Sequence, residues 1–283
     1  NIASGTLNID QVGNTGFGGS LTGSGGLRKG GSGQFQLLGV SSYSGPTTID
    51  AGSLQFTAPS GSFNNSTAVS ISSGAKLLID PDVNSVTYSG SVSGAGDVRM
   101  IGNGTLTLTG NLTYSGVTEV GSGALVVNDL PGDDLENGVL PESTVVDVSS
   151  GATYRLNSPD KIGGLQGAGS VDLNGNELTI NIAASGGSTT FSGVISGADS
   201  NSRLVKDGSG VLRLSGANTY QGLTSIEAGV LEISNASGLG AFGGSATNIS
   251  GDAALHIVGS QSSSDFLISD LLFLDSSETE GEA

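Results

Sequence analysis

The sequence predicts an all-β solenoid, a parallel β-helix of roughly 13 coils, and three observations carry that expectation. One block of sequence recurs three times without gaps, at 27–56, 98–127 and 204–233. Glycines that close one turn of the pattern recur at a near-constant interval, as from Gly52 to Gly74 and from Gly229 to Gly251. Between them Leu, Ile and Val alternate with small polar residues, the period of short strands with one buried face.

The composition agrees. Charged residues make up 12% of the 283, about half the usual share, and 49 glycines with 6 prolines support turns and strands over helix. The recurring aliphatic positions separate the chain from a disordered Gly/Ser tract, which has no surface to bury. Nine Lys and Arg against 26 Asp and Glu give a net charge of −17, which repels phosphate backbones and anionic lipid and excludes nucleic acid as a partner. The absence of cysteine fits passage through an oxidising compartment without disulfides. No apolar run approaches the roughly 20 residues of a membrane helix, so membrane insertion of this segment is not expected. The opening NIASGTLNID has no basic region followed by an apolar stretch and already reads as a strand. The chain is therefore expected to be a mature product or an excerpt of something longer.

The three blocks are LRKGGSGQFQLLGVSSYSGPTTIDAGSLQF at 27 to 56, VRMIGNGTLTLTGNLTYSGVTEVGSGALVV at 98 to 127, and LVKDGSGVLRLSGANTYQGLTSIEAGVLEI at 204 to 233. Gly33, Gly104 and Gly210 each open a strand, with Phe35 and Leu37, Leu106 and Leu108, or Leu212 and Leu214 on one face. Gly39, Gly110 and Gly216 end it. A corner follows, holding Tyr43, Tyr114 or Tyr220 and then Gly45, Gly116 or Gly222. Thr47 and Ile49, Thr118 and Val120, and Thr224 and Ile226 form the next strand, and Gly52, Gly123 and Gly229 turn the chain into the last.

The interval between those closing glycines holds three short strands and is one coil, and stacking places aliphatic residues over aliphatic residues. A sandwich or adhesin-like array is the alternative, but it would show more tight hairpin turns than Asn103-Gly104, Asn174-Gly175 and Asp207-Gly208. Leu108, Val120, Leu125, Leu214, Ile226 and Leu231 are expected to point inward. So are Leu165, Val171, Leu173, Leu178, Ile180 and Ile182, from a coil at 158 to 190 that lacks the tyrosine corner. The stalk is expected over 1–265, with a turn insertion at 130–143 projecting from it. Residues 266–283 hold FLISDLLFLD, a last strand pair or an end cap, and an acidic tail.

The strings GSGVLRLSGANTYQGLTSIEAGVLEIS, GNGTLTLTGNLTYSGVTEVGSGALVVN and GSGQFQLLGVSSYSGPTTIDAGSLQFT resemble the autotransporter-associated β-strand repeat of Gram-negative type V secretion passengers and related giant surface proteins. IGGLQGAGSVDLNGNELTI at 162 to 180 resembles the coil that often sits beside it, so the likeness covers about 17 to 258. It implies a right-handed parallel β-helix, export across the outer membrane, and a passenger released or displayed at the cell surface. It implies no activity. The terminal SETEGEA lacks an aromatic end, so a signal peptide and translocator barrel are expected to have been removed, or export follows another route.

Residues that could carry chemistry are sparse. A serine hydrolase needs a base beside its nucleophile, and the sole histidine, His256 in ALHIV, reads as an outward strand residue. Asp80, Asp82 and Asn84 have Ca²⁺-loop spacing, but Ser85 and Ser91 stand where such a loop needs Gly and Glu. Asp133, Asp134 and Glu136 read as a solvated protrusion, with adhesive or ion contacts as the sharper alternative. Arg28, Arg99, Arg155, Arg203 and Arg213 are scattered, and the first two and Arg203 sit near equivalent repeat positions, as a surface ladder would. The repeated tyrosines read as buried corners whose hydroxyls reach a turn carbonyl, against the alternative of sugar-stacking platforms. No catalytic, cofactor-binding or metal residue is therefore expected, and no cofactor, Ca²⁺ being the nearest candidate. The expected function is a non-catalytic extracellular stalk or filament for display or adhesion, the alternative a β-helix polysaccharide lyase or hydrolase. Expected partners are host or neighbouring cell surfaces, matrix components, and a second copy of the chain meeting it end to end.

Overall fold

A computed structural model describes residues 1–57, 68–129, 139–183, 186–241 and 246–259, together with the backbone of 272–274. All described regular structure is β, and every strand pair is parallel. One sheet of twelve strands runs the length of the shaft, from Thr15–Phe17 to Ala254–Ile257. Three six-stranded sheets cover the other sides. One runs from Thr6–Asp10 to Leu112–Tyr114, one from Ser85–Tyr88 to Val194–Ser196, and one from Asp160–Ile162 to Leu272–Leu274. A two-stranded pair, Thr22–Gly23 with Ser42–Tyr43, completes the early coils.

Each repeat block closes one coil on itself. Its first strand stacks beneath its post-corner strand, pairing Leu27 with Thr47, Val98 with Thr118 and Leu204 with Thr224. Its second strand stacks beneath its last, pairing Phe35 with Leu54, Leu106 with Leu125 and Leu212 with Leu231. The rung-to-rung step is not constant: it is short from Thr153 to Ser170 and long from Ala124 to Thr153, where the insertion falls. Longer connections draw residues out of the rungs, so the shaft has about eleven turns where the glycine spacing predicted roughly 13. At about 4.8 Å per rung that is roughly 50 Å of solenoid.

The interior is aliphatic and tyrosine-rich. Leu108, Val120, Leu125, Leu214, Ile226 and Leu231 are all buried, as are Leu165, Val171, Leu173, Leu178, Ile180 and Ile182. All five tyrosines are buried too. The block glycines serve two different needs. Gly52, Gly123 and Gly229 adopt φ of 65 to 67°, the left-handed turn conformation that favours glycine. Gly110 and Gly216 instead lie against the neighbouring coil, where a Cβ would come within 2.1 and 1.7 Å of the carbonyl oxygens of Gly90 and Gly193. Positive φ explains only part of the glycine pattern, and close coil-to-coil approach explains another part.

Candidate functional site

The outward faces are held by ion pairs between successive rungs. Arg28 lies between Asp10 on the coil below, 3.3 Å, and Asp50 on the coil above, 2.6 Å. Lys76 meets Asp97 at 3.1 Å, Arg99 meets Glu119 at 3.2 Å, and Arg155 meets Asp172 at 3.6 Å. Near the far end Glu232 takes Arg213 at 3.2 Å on one side and His256 Nδ1 at 3.1 Å on the other. Such half-exposed pairs contribute at most about 1 kcal/mol each. The equivalent repeat positions do not form one ladder. Arg28, Arg99 and Arg203 lie in strands of three different sheets, because the interval between blocks is not a whole number of coils.

The buried polar groups carry more of the design. Tyr43, Tyr114 and Tyr220 lie buried at their corners, and each hydroxyl meets the hydroxyl of the threonine that opens the next strand: Thr47 at 2.7 Å, Thr118 at 2.5 Å and Thr224 at 2.6 Å. The hydroxyl partner is therefore a side chain of the next strand, where a turn carbonyl was expected. The threonine relays the bond in turn, Thr118 to Thr144 and Thr224 to the carbonyl of Leu239.

Two lysines are wholly buried, which the sequence pattern did not anticipate. Lys206 Nζ donates to the carbonyls of Asp207, Gly208 and Ala228 at 2.7, 2.7 and 3.0 Å. Lys29 does the same to Gly30, Gly31 and Ala51. Burial lowers both amines, Lys206 to about 8, against the pull of Asp207. In the middle block Met100 occupies this place, and Ser122 stands where the other blocks have Ala51 and Ala228. Its Oγ donates to the carbonyl of Gly102 at 2.7 Å, so a serine supplies from one rung the donor that lysine supplies from the other. The recurrence of Lys before Gly-Gly or Asp-Gly in two blocks was the available signal.

The third buried group is Asp160. Its Oδ1 accepts the backbone N–H groups of Val139 and Leu140 at 2.8 and 3.1 Å, and its Oδ2 accepts the hydroxyl of Tyr154. Desolvation pushes its carboxyl up to about 7, although these donors favour the ionised form. Within the insertion expected at 130–143, Val139 and Leu140 belong to the core. That stretch does carry inward apolar positions, and Asp160 fixes them. Asp133, Asp134 and Glu136 lie outside the described residues, as does the acidic tail.

The Ca²⁺-like stretch is otherwise engaged. Asp80 Oδ1 accepts the N–H of Asp82 at 2.9 Å, and Oδ2 accepts the Gln55 amide at 3.0 Å, closing a local turn with Asp82 at φ 57°. Among the described residues no three His, Cys, Asp or Glu side chains are grouped to hold a metal, and no helix is long and apolar enough to cross a membrane.

A parallel solenoid whose charged groups tie rung to rung defines a repetitive β-helical shaft. Comparison with known proteins agrees. The passenger-associated-transport-repeat family model matches residues 27–56, 98–127 and 204–233, the three blocks themselves. The chain is 31% identical over 207 residues to the adhesin BmaC autotransporter of Brucella suis biovar 1 (strain 1330), an alignment covering 71% of this chain and 6% of that protein. No solved structure matches the chain. The chain carries passenger-associated-transport repeats, and these together with the likeness to an autotransporter adhesin point to a secreted, cell-surface protein exported across the outer membrane.

Proposed function

We propose that this segment is a stiff, non-catalytic stalk that extends an adhesive or display region from the cell surface. Its partners are host or neighbouring cell surfaces and matrix components. The observation that carries the reading is the disposition of its charges. Among the described residues, Arg28, Lys76, Arg99, Arg155 and Arg213 all face acids on an adjacent rung. Hydrolysis or elimination on a polysaccharide needs acid, base and cation converging on one cleft, whereas these five cations are spread along the shaft. The similarity to an adhesin supports the surface role. The reading extends to the body of the chain, 1–265, with 266–283 as its end segment.

The test is to incubate the purified chain with a panel of neutral and acidic polysaccharides and to measure its retention on cells and matrix. The reading expects retention without chemistry. New reducing or unsaturated chain ends, made in proportion to protein, overturn it.

A further inference from the structure

Asparagine followed by glycine occurs at Asn103-Gly104, Asn137-Gly138 and Asn174-Gly175. Such a step is chemically labile wherever it is unrestrained, because no Cβ on the glycine hinders its nitrogen from reaching the preceding side-chain carbonyl carbon. Asn137-Gly138 lies outside the described residues, and the other two steps sit in opposite surroundings.

At Asn174 both reacting groups are held. Its Oδ1 accepts the Arg155 guanidinium at 3.0 Å, and its Nδ2 donates to the Leu156 carbonyl and to Asn157 Oδ1, both at 3.1 Å. The Gly175 N–H donates to Ser202 Oγ at 3.0 Å. Asn103 is exposed, and among the described residues neither its side chain nor the Gly104 N–H makes a hydrogen bond. The middle block alone has this combination. Ser32 and Ser209 stand at the equivalent position in the other two. There the following N–H is tied to the rung below, Gly33 to the Gln11 carbonyl at 3.0 Å and Gly210 to the Ile182 carbonyl at 2.8 Å. Gly104 cannot be exchanged for a less reactive residue, since a Cβ there would collide with the carbonyl oxygen of Asn84. A backbone N–H without a protein partner is as a rule bonded to water, the medium that takes up its proton.

We propose that Asn103 is a modification site, at which the folded chain converts asparagine into aspartyl and isoaspartyl residues. Hydroxide removes the Gly104 amide proton. The nitrogen then attacks Cγ of Asn103, the Cγ–Nδ2 bond breaks, ammonia leaves and a succinimide ring closes. Water opens the ring. Breaking the bond from the ring nitrogen to Cγ gives aspartate, whereas breaking its bond to the main-chain carbonyl carbon gives isoaspartate, whose backbone runs through Cγ and is longer by a methylene. The net change is water consumed and ammonia released, with no redox step. Aspartate adds only a charge to an exposed corner. Isoaspartate displaces the start of Thr105–Leu108, the strand that stacks Leu106 and Leu108 between Val86 and Tyr88 below and Leu125 and Val127 above.

The test is to hold the full folded chain warm at mildly alkaline pH and to follow each Asn-Gly step by peptide mass spectrometry, with fragmentation assigning the site. Isoaspartate is read by methyl transfer from labelled S-adenosylmethionine with an isoaspartyl carboxyl methyltransferase. A parallel sample in urea shows each step without its fold. Asn103 is expected to convert at least about tenfold faster than Asn174, the factor that one or two ordinary hydrogen bonds correspond to. Asn103→Ser, the residue of the other blocks, should remove the isoaspartyl signal at this site with the circular dichroism spectrum and melting temperature unchanged. Asn103→Asp should melt as the unmodified chain does, while aged protein melts lower as its isoaspartyl content at 103 rises. Asn103 that stays intact in the folded chain but converts in urea, or Asn174 converting as fast as Asn103, overturns the proposal. Melting that does not follow isoaspartyl content overturns the claimed displacement of the strand.

Discussion

Replacing Lys206 with methionine reproduces in the third block the side chain that the middle block carries at Met100. The consequence follows from the three carbonyls that Nζ now reaches. The carbonyl of Asp207 also accepts the N–H of Ile182 and keeps a partner, whereas those of Gly208 and Ala228 have no other donor among the described residues. Both residues are half-buried, so each lost bond is at the lower end of the range for an orphaned acceptor, about 1 kcal/mol. Lys206→Met should therefore cost about 2 kcal/mol, reduced by whatever the buried ammonium no longer costs in desolvation. Ala228→Ser restores the arrangement of Ser122 and Gly102, and in the methionine background it should recover about 1 kcal/mol. In the wild-type background it should gain little, because the lysine already occupies the carbonyl of Gly208. The assay is a double-mutant cycle by urea denaturation, reading midpoints at constant slope. Strict additivity of the two substitutions, within about 0.5 kcal/mol, refutes the claim that lysine and serine are alternative donors to one turn.

Three further outcomes are expected. Leu214 is 1% exposed and stacked between Phe191 and Ile233, so Leu214→Asp should cost about 4 kcal/mol or more. An unchanged melting curve and circular dichroism spectrum would mean that the register is wrong. Asp160 gives a pH dependence whose sign can be worked out. Its folded value of about 7 lies above its ordinary 3.8, so between those pH values the folded chain holds a proton that the unfolded chain has lost. Its stabilising effect is full below 3.8 and disappears as pH rises through about 7. At 1.36 kcal/mol per pH unit the whole effect is about 4 kcal/mol. Melting temperature should accordingly fall from pH 4 to 8, and Asp160→Asn should flatten that slope. A wild-type slope of opposite sign contradicts the assignment. Deleting residues 130–138 should leave the fold intact, because Val139, Leu140 and their bonds to Asp160 remain. Loss of cooperative refolding in that deletion would show that the segment is needed for the stack.

The solenoid was legible because its repeating unit is also its folding unit. Alternation placed Leu212 and Leu214 inward, and Leu231 and Ile233 of the next rung had to fall directly above them. The tyrosine corners were legible for the same reason, being apolar bodies between glycines, although the pattern could not say that Thr47, Thr118 and Thr224 receive their hydroxyls. The ladder expected for the arginines failed on arithmetic. The interval from Leu27 to Val98 is not a whole multiple of the step from Leu27 to Thr47 inside a block, so equivalent residues rotate onto different faces. Asp160 was not legible at all. Besides the Tyr154 hydroxyl, its partners are backbone groups a full rung away at the end of an insertion, and backbone donors leave no mark in sequence.

The central claim is that consecutive coils stack in the stated register, and a chain without cysteine allows it to be tested by cross-linking alone. Thr48 pairs with Ser70 on the next rung, and Ser70 pairs with Ser93 on the rung beyond. One rung is about 4.8 Å, inside the Cα separation a disulfide tolerates, and two rungs are about 9.6 Å, outside it. Mild oxidation should cross-link the double variant Thr48→Cys with Ser70→Cys and leave Thr48→Cys with Ser93→Cys reduced, read by gel mobility and free-thiol titration on folded protein. Efficient closure of the two-rung pair, with the one-rung pair remaining reduced, would contradict the stacking on which the rest depends.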